Sequence, residues 1–369
     1  MRLNVEKDEI QKALQNVQGI VAKKNTMPVL SHFLLSVSGG RADIIATDLE
    51  IAIKEPLKAE VLSDGSLCIP ARELFEITKE VEGDLLLESL ENNWLKVSSG
   101  QSIFKLVGLP EGEYPSLPEV SQAEKLDLAV DVLSNMIEKT IYAAGDSTAR
   151  YVMNGLFLHF IPREKGIELK MVGTDGHRLS LSTVESEGKL SVEKKLILPK
   201  KAALELRRLL SAVEGAVTIG IDKNHIFFTL GDILFISRLI EGNYPNYEQV
   251  IPQANERIVT LDKSGFLKAL KRASIVSRER TNAVRLDIEG SKLTIISINP
   301  DLGEAKEEMV VQYKGEPISI GFNARYLMDV LQVMEGEAAR LELQDTLSPS
   351  LLKEGEDKGY RCVVMPMRI

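Results

Sequence analysis

The chain has 369 residues, 44% of them hydrophobic and 27% charged, with a formal net charge of −9. That length calls for two or three domains, and the acidic balance excludes a simple basic nucleic-acid binder while leaving the distribution of charge over the surfaces open. Two cysteines, Cys68 and Cys362, form no disulfide framework, the start has no apolar signal region, and no stretch nears the ~18 apolar residues of a membrane span, so a cytoplasmic location is expected.

In chain order, the first element is an amphipathic helix marked by Ile10, Leu14 and Val17. A strand, a Thr47-Asp48 turn and a second strand follow, and residues 69–77 then read as a strand end running into a short helix. The segment closes on Gly112-Glu113-Tyr114-Pro115, which reads as a linker. The same plan restarts with a helix marked by Leu133, Met136, Ile137 and Ile141, a turn at Thr174-Asp175, a strand-to-helix junction at residues 198–206 and a linker at Gly242-Asn243-Tyr244-Pro245. A third copy has Phe266, Leu267 and Leu270 on its first helix, Asn299-Pro300-Asp301 at the turn and a junction at residues 321–330. Pro70 and Pro199 are 129 residues apart, and Pro199 and Asn323 are 124 apart. Solenoid repeats are far shorter, so the reading is three whole α+β domains, 1–122, 123–253 and 254–369, each with two helices backed by antiparallel sheet.

Thr174-Asp175-Gly176-His177-Arg178-Leu179 carries the most suggestive chemistry. Asp175 and His177 could serve as an acid/base pair in an interdomain cleft, but such a pair needs a nucleophile, metal or cofactor loop. The chain has no G-x-G-x-x-G, no G-x-x-x-x-G-K-[ST] and no G-x-S-x-G, and its four histidines stand singly. The other reading is a hairpin turn capped by the Asp and the Arg, one instance of the repeated turn. With no cofactor, metal site or catalytic residue indicated, a binding protein is expected rather than an enzyme.

Charge is spread unevenly. Over the six predicted helical stretches the net charge is +5, leaving −14 for the remainder. Lys268, Lys271 and Arg272 share one helix face, and Lys200, Lys201, Arg207 and Arg208 crowd another helix. A basic bias on the helices of an acidic protein points to a polyanion surface.

The chain as a whole resembles the bacterial sliding clamp family, the beta subunit of DNA polymerase III. The features that carry this are the triple repeat, Val172-Gly173-Thr174-Asp175-Gly176-His177-Arg178-Leu179, Glu241-Gly242-Asn243-Tyr244-Pro245-Asn246-Tyr247, and the ending Val363-Val364-Met365-Pro366-Met367-Arg368. The resemblance implies a head-to-tail homodimer closed into a ring of six domains, with helices inside. Twelve helices at ~10 Å each require a circumference of ~120 Å and leave an opening of ~28 Å, wide enough for duplex DNA. It also implies a DNA polymerase processivity factor that holds the replicative polymerase and other partners bearing clamp-binding motifs on double-stranded DNA without regard to sequence, and a separate clamp loader.

Matched residue by residue, the family's peptide-binding groove falls on Met153, Thr174, Gly176, His177, Arg178, Leu179, Pro245, Val250, Val363, Val364, Met365, Pro366, Met367 and Arg368. Gln249 and Pro349 depart from the family, where well-known members have Arg and some have Ser. The resemblance places Lys24, Arg150 and Tyr151 toward DNA, and the helix charge adds Lys201, Arg207, Lys271 and Arg272. Arg72 and Phe104 are expected at the ring interface, against Ile275, Val276, Glu304, Glu307 and Glu308 of the second protomer.

Overall fold

The computed structural model describes residues 1–21, 27–119, 124–188, 190–253, 255–277, 281–355 and 359–368. Its secondary structure is α+β, and every paired strand runs antiparallel to its neighbour. Six α-helices occur among the described residues, two in each third of the chain: α1 (Lys7–Gln18), α2 (Ala71–Glu80), α3 (Val130–Ile141), α4 (Lys200–Leu210), α5 (Lys263–Ala273) and α6 (Ala324–Val333). Each begins directly after, or one residue beyond, the end of a strand.

The junctions end their strands and start their helices in different ways. Pro70 occupies the N-cap of α2 at φ −61°, where its missing N–H costs nothing. In the third copy Asn323 stands there, and its side chain accepts a hydrogen bond from the Arg325 N–H at 2.9 Å. The apolar stripes are buried as the periodicity predicts, including Ile10, Leu14, Val17, Leu133, Met136, Ile137 and Ile141. On α5 the buried face is Phe266, Ala269, Leu270 and Ala273, and Leu267 lies only partly under it.

The chain divides into two compact units, Met1–Val132 with Leu204–Leu239, and Leu133–Ala203 with Ile240–Ile369. These units follow the sheets rather than the thirds of the sequence. In the first unit Ile233–Arg238 pairs with Ile51–Leu57, so that four strands from residues 124–238 and four from residues 32–70 form one eight-stranded sheet. The second unit repeats this arrangement, because Arg178–Ser186 pairs with Tyr360–Val364 and joins four strands from residues 155–199 to four from residues 257–364. A five-stranded sheet completes the first unit and a four-stranded sheet the second. Ser102–Val107 is an edge strand of the former, and Gly303–Val310 an edge strand of the latter.

Candidate functional site

The hairpin of the second unit positions the site. At its tip the Asp175 Oδ1 accepts from the His177 and Arg178 N–H groups at 2.9 and 3.0 Å, and the Thr174 hydroxyl oxygen accepts from the Gly176 N–H at 3.1 Å. The Thr47-Asp48 turn of the first unit repeats this pattern, with Asp48 Oδ1 accepting from Glu50 and Ile51 and Thr47 accepting from Leu49. Gly176 has φ +89°, and Leu49 holds the corresponding position at φ +77°. Asp175 is therefore a turn cap, as the hairpin reading expects, and its second oxygen accepts from the Arg178 Nε at 3.1 Å. The His177 side chain is exposed beside this cap.

Next to the turn lies a concavity of about 450 Å³, lined by residues 149–153, Thr174, Gly176, His177, Arg178, Leu179, Pro245, Tyr247, Val250, Val363 and Met365. Four segments meet here: the 3-10 turn Thr148–Met153, the hairpin, the stretch from Pro245 to Val250, and the chain ending. The 245–250 segment is fastened to the sheet by aromatic packing. Tyr244 stacks on Phe157 at 4.9 Å and 14°, and its hydroxyl donates to the Val172 carbonyl at 3.3 Å. Tyr247 lies at 5.8 Å from Phe157, with its hydroxyl 3.2 Å from the His159 Nδ1. Burial pushes both tyrosine hydroxyls above their usual range, so they act here as neutral hydrogen-bonding groups. Gly242, at φ +135°, lets the chain pass where a Cβ would lie 2.8 Å from the Val152 Cγ1.

Of the expected groove residues, Met153, Thr174, Gly176, His177, Arg178, Leu179, Pro245, Val250, Val363 and Met365 line this concavity together. Val364 does not. A strand sends successive side chains to opposite faces, so Val363 joins the cluster of Phe157, Leu179 and Tyr247, while Val364 is fully buried in the large core of the third repeat. Pro366, Met367 and Arg368 lie beyond the lining residues. Backbone pairing continues on both sides of Pro366: Met365 donates to the His177 carbonyl at 2.9 Å, and Met367 donates to the Gly321 carbonyl at 2.8 Å.

Arg150 and Tyr151, expected toward DNA, are exposed and line the concavity itself. Tyr247, Ala149 and Val152 line it too and have no place in the sequence expectation. The second aromatic of Gly242-Asn243-Tyr244-Pro245-Asn246-Tyr247 was the available signal, since a buried Tyr in a polar, Pro-containing connection needs a reason.

None of the remaining expected residues that the structure describes lines the concavity. Lys24 falls outside the described residues. Lys201 and Lys271 are exposed and Arg207 is half-buried. Arg272 is bound by Glu307, Nε to Oε1 at 2.8 Å, so a cation expected toward DNA and an anion expected at the ring interface neutralise each other within one chain. Glu308 sits 2.8 Å from Lys292 and 2.9 Å from Lys306, whose hydrogen bonds hold its carboxyl down at about 2. Glu304 and Arg72 are exposed, and Phe104 and Val276 half-buried. Ile275 is 75% exposed.

Family comparisons extend over nearly the whole chain. Residues 1–118, 127–246 and 248–368 match the models for the N-terminal, central and C-terminal domains of the DNA polymerase III beta subunit. Relatives called beta sliding clamp, from Pseudomonas putida and Caulobacter vibrioides, are 36% and 35% identical, with all of both chains covered in each case. Among solved structures, the sliding clamp of Bartonella birtlesii bound to griselimycin has a TM-score of 0.96 at 31% identity, with both chains fully covered. The clamp of Bacillus subtilis has a TM-score of 0.95 at 28% identity, covering all of this chain and 99% of that one.

Proposed function

Because the chain belongs to the DNA polymerase III beta subunit family, we propose that it is a sliding clamp. In this reading two copies close head to tail around duplex DNA and tether the replicative polymerase, and three domains, 1–122, 123–253 and 254–369, make up each copy. The observation that carries the reading is the preformed concavity, whose walls of Met153, Leu179, Val250, Val363 and Met365 suit the Leu and Phe anchors of a short linear peptide. A partner held in this groove stays with the ring, and the ring stays on DNA because it is closed, so processivity follows from topology rather than affinity.

Two of the sheet edges fit the ring. Ser102–Val107, with Phe104, and Gly303–Val310, with Glu304, Glu307 and Glu308, are edge strands, which present unpaired backbone groups ready to receive another chain. Val310 at 82% exposure and Ile275 at 75% supply apolar surface beside the second edge. Isologous pairing would match each edge with its own copy, whereas joining unlike edges gives the heterologous contact a ring requires. Phosphates would meet Lys201, Arg207, Lys271 and the exposed Arg150 and Tyr151 through screened contacts that permit sliding.

The chain catalyses no reaction in this reading, since the turn amides and Arg178 already occupy the Asp175 carboxylate. A separate loader opens the ring, and the place of work is the cytoplasm; no helix among the described residues is long and apolar enough to cross a membrane. Sedimentation tests the assembly: a dimer at micromolar concentration supports it, and a monomer or a closed trimer contradicts it.

A further inference from the structure

Arg178 lines the groove, yet its guanidinium is committed elsewhere. Nε donates to Asp175 at 3.1 Å, Nη1 to the Asp329 carboxylate at 2.6 Å and Nη2 to the Tyr142 carbonyl at 2.6 Å. The ring of Tyr326 covers its face at 4.4 Å. Burial works against the charge, but the Asp329 hydrogen bond and the charges of Asp175 and Asp329 outweigh it and hold Arg178 more firmly protonated than usual. Two carboxylates therefore face one cation, and a peptide carboxylate has nothing to gain from it.

Asp329 has a single task in this arrangement. It projects from the middle of α6, whose core contacts are made by Ala324, Leu327, Val330 and Leu331. Among the described residues its carboxylate has Arg178 as its only partner. Asp175, by contrast, is already held by the turn amides. Removing Asp329 would free Nη1 and leave the guanidinium held at two nitrogens instead of three, Nε on Asp175 and Nη2 on the Tyr142 carbonyl, next to the turn that presents Gly176 and His177 to the groove. A fork held at all three nitrogens has little rotamer freedom left to lose when a ligand arrives, which is how preorganisation raises affinity.

We propose that Asp329, from the helix of the third repeat, is a positioning residue for the groove: it acts through Arg178 to fix that end of the peptide site without touching the peptide. This rests on the reading of the groove as a peptide site, and two measurements separate the claims. The first needs no peptide. In the intact ligand-free protein, the Arg178 Nη1–H that Asp329 accepts should exchange slowly with solvent, and Asp329→Asn should accelerate it at least tenfold; rapid exchange in the unaltered protein overturns the clasp. The second is fluorescence anisotropy with a Leu/Phe-containing polymerase peptide. Asp329→Asn should weaken binding on the order of tenfold, as expected for one charge-assisted hydrogen bond. Asp329→Glu, which keeps the charge, should restore binding to within about threefold of the unaltered protein on the same grounds. Arg178→Ala and the double variant should bind equally, because Asp329 has nothing to act through once Arg178 is gone. Unchanged affinity in Asp329→Asn, or additive losses in the double variant, overturns the proposal. Failure of the unaltered protein to bind any such peptide overturns the groove reading, while the exchange rates still decide the clasp.

Discussion

Val363 and Val364 are adjacent, identical and both buried, yet the alternation of the strand assigns them different work, which makes a controlled comparison possible. Val364→Ala removes two methyl groups from a closed core, which costs about 1.6 kcal/mol in transfer. A void of roughly 50 Å³ left unrelaxed adds about 1.2 kcal/mol, for a total near 3 kcal/mol. Val363 borders the concavity, so its truncation leaves an indentation open to solvent, and the expected cost is nearer 1.5 kcal/mol. Peptide binding should respond in the opposite order. Val363→Ala takes apolar wall from the groove and should lower affinity about fivefold, near 1 kcal/mol, while Val364→Ala should leave it within about twofold. Urea denaturation and anisotropy with a Leu/Phe peptide measure the two quantities on the same samples. If Val364→Ala weakens the peptide as much as Val363→Ala does, the division of the ending into a core face and a groove face is wrong.

Three further outcomes are expected. Glu55 is buried on its strand with both carboxylate oxygens 3.0 Å from the Asn16 Nδ2, and burial, only partly offset by that hydrogen bond, raises its carboxyl to about 7. The folded state thus binds the proton more tightly than the unfolded chain, so stability is fullest below the ordinary Glu range and falls as pH rises through 7; Glu55→Gln should raise the melting temperature at pH 8–9, by up to ~3 kcal/mol in stability, and make no difference near pH 4. Gly176→Ala should cost only about 1 kcal/mol in a denaturant titration, because Leu49 shows that the same turn accepts a side chain at positive φ, and a loss of several kcal/mol would mean the two turns are not equivalent. Removing Lys271 and Arg272 together should shorten the life of the protein on DNA and flatten its salt dependence, with Lys271→Ala giving the larger share because Arg272 is already bound to Glu307; equal single effects would contradict the in-chain pairing.

Local features were legible where a residue type does one physical job. The helical stripes, the Asp-capped turns and the strand-to-helix junctions follow from periodicity and capping, and the third copy was recognisable although Asn323 replaces the proline. Less was legible where two distant segments share a task. Nothing in residues 51–57 announces pairing with 233–238, because an edge strand looks alike whether or not another segment completes its sheet. The run from Val363 to Met367 reads as one apolar ending, and only its register against Arg178 and Leu179 shows which side chains turn outward. Arg272 and Glu307 suggested separate surfaces until the fold brought them together. Asp329 was invisible for the same reason, being one polar residue on an amphipathic helix until Arg178, 151 residues away, meets it.

The central claim is that the protein holds DNA by enclosing it. The protein should be loaded onto nicked circular duplex by a clamp loader with ATP and separated from free protein by gel filtration at high salt, before and after the circle is cut once. Retention on the circle and loss within minutes of linearisation is the predicted result. Equal retention on both forms, or release from the intact circle by salt alone, would show that it is held by contacts rather than by topology.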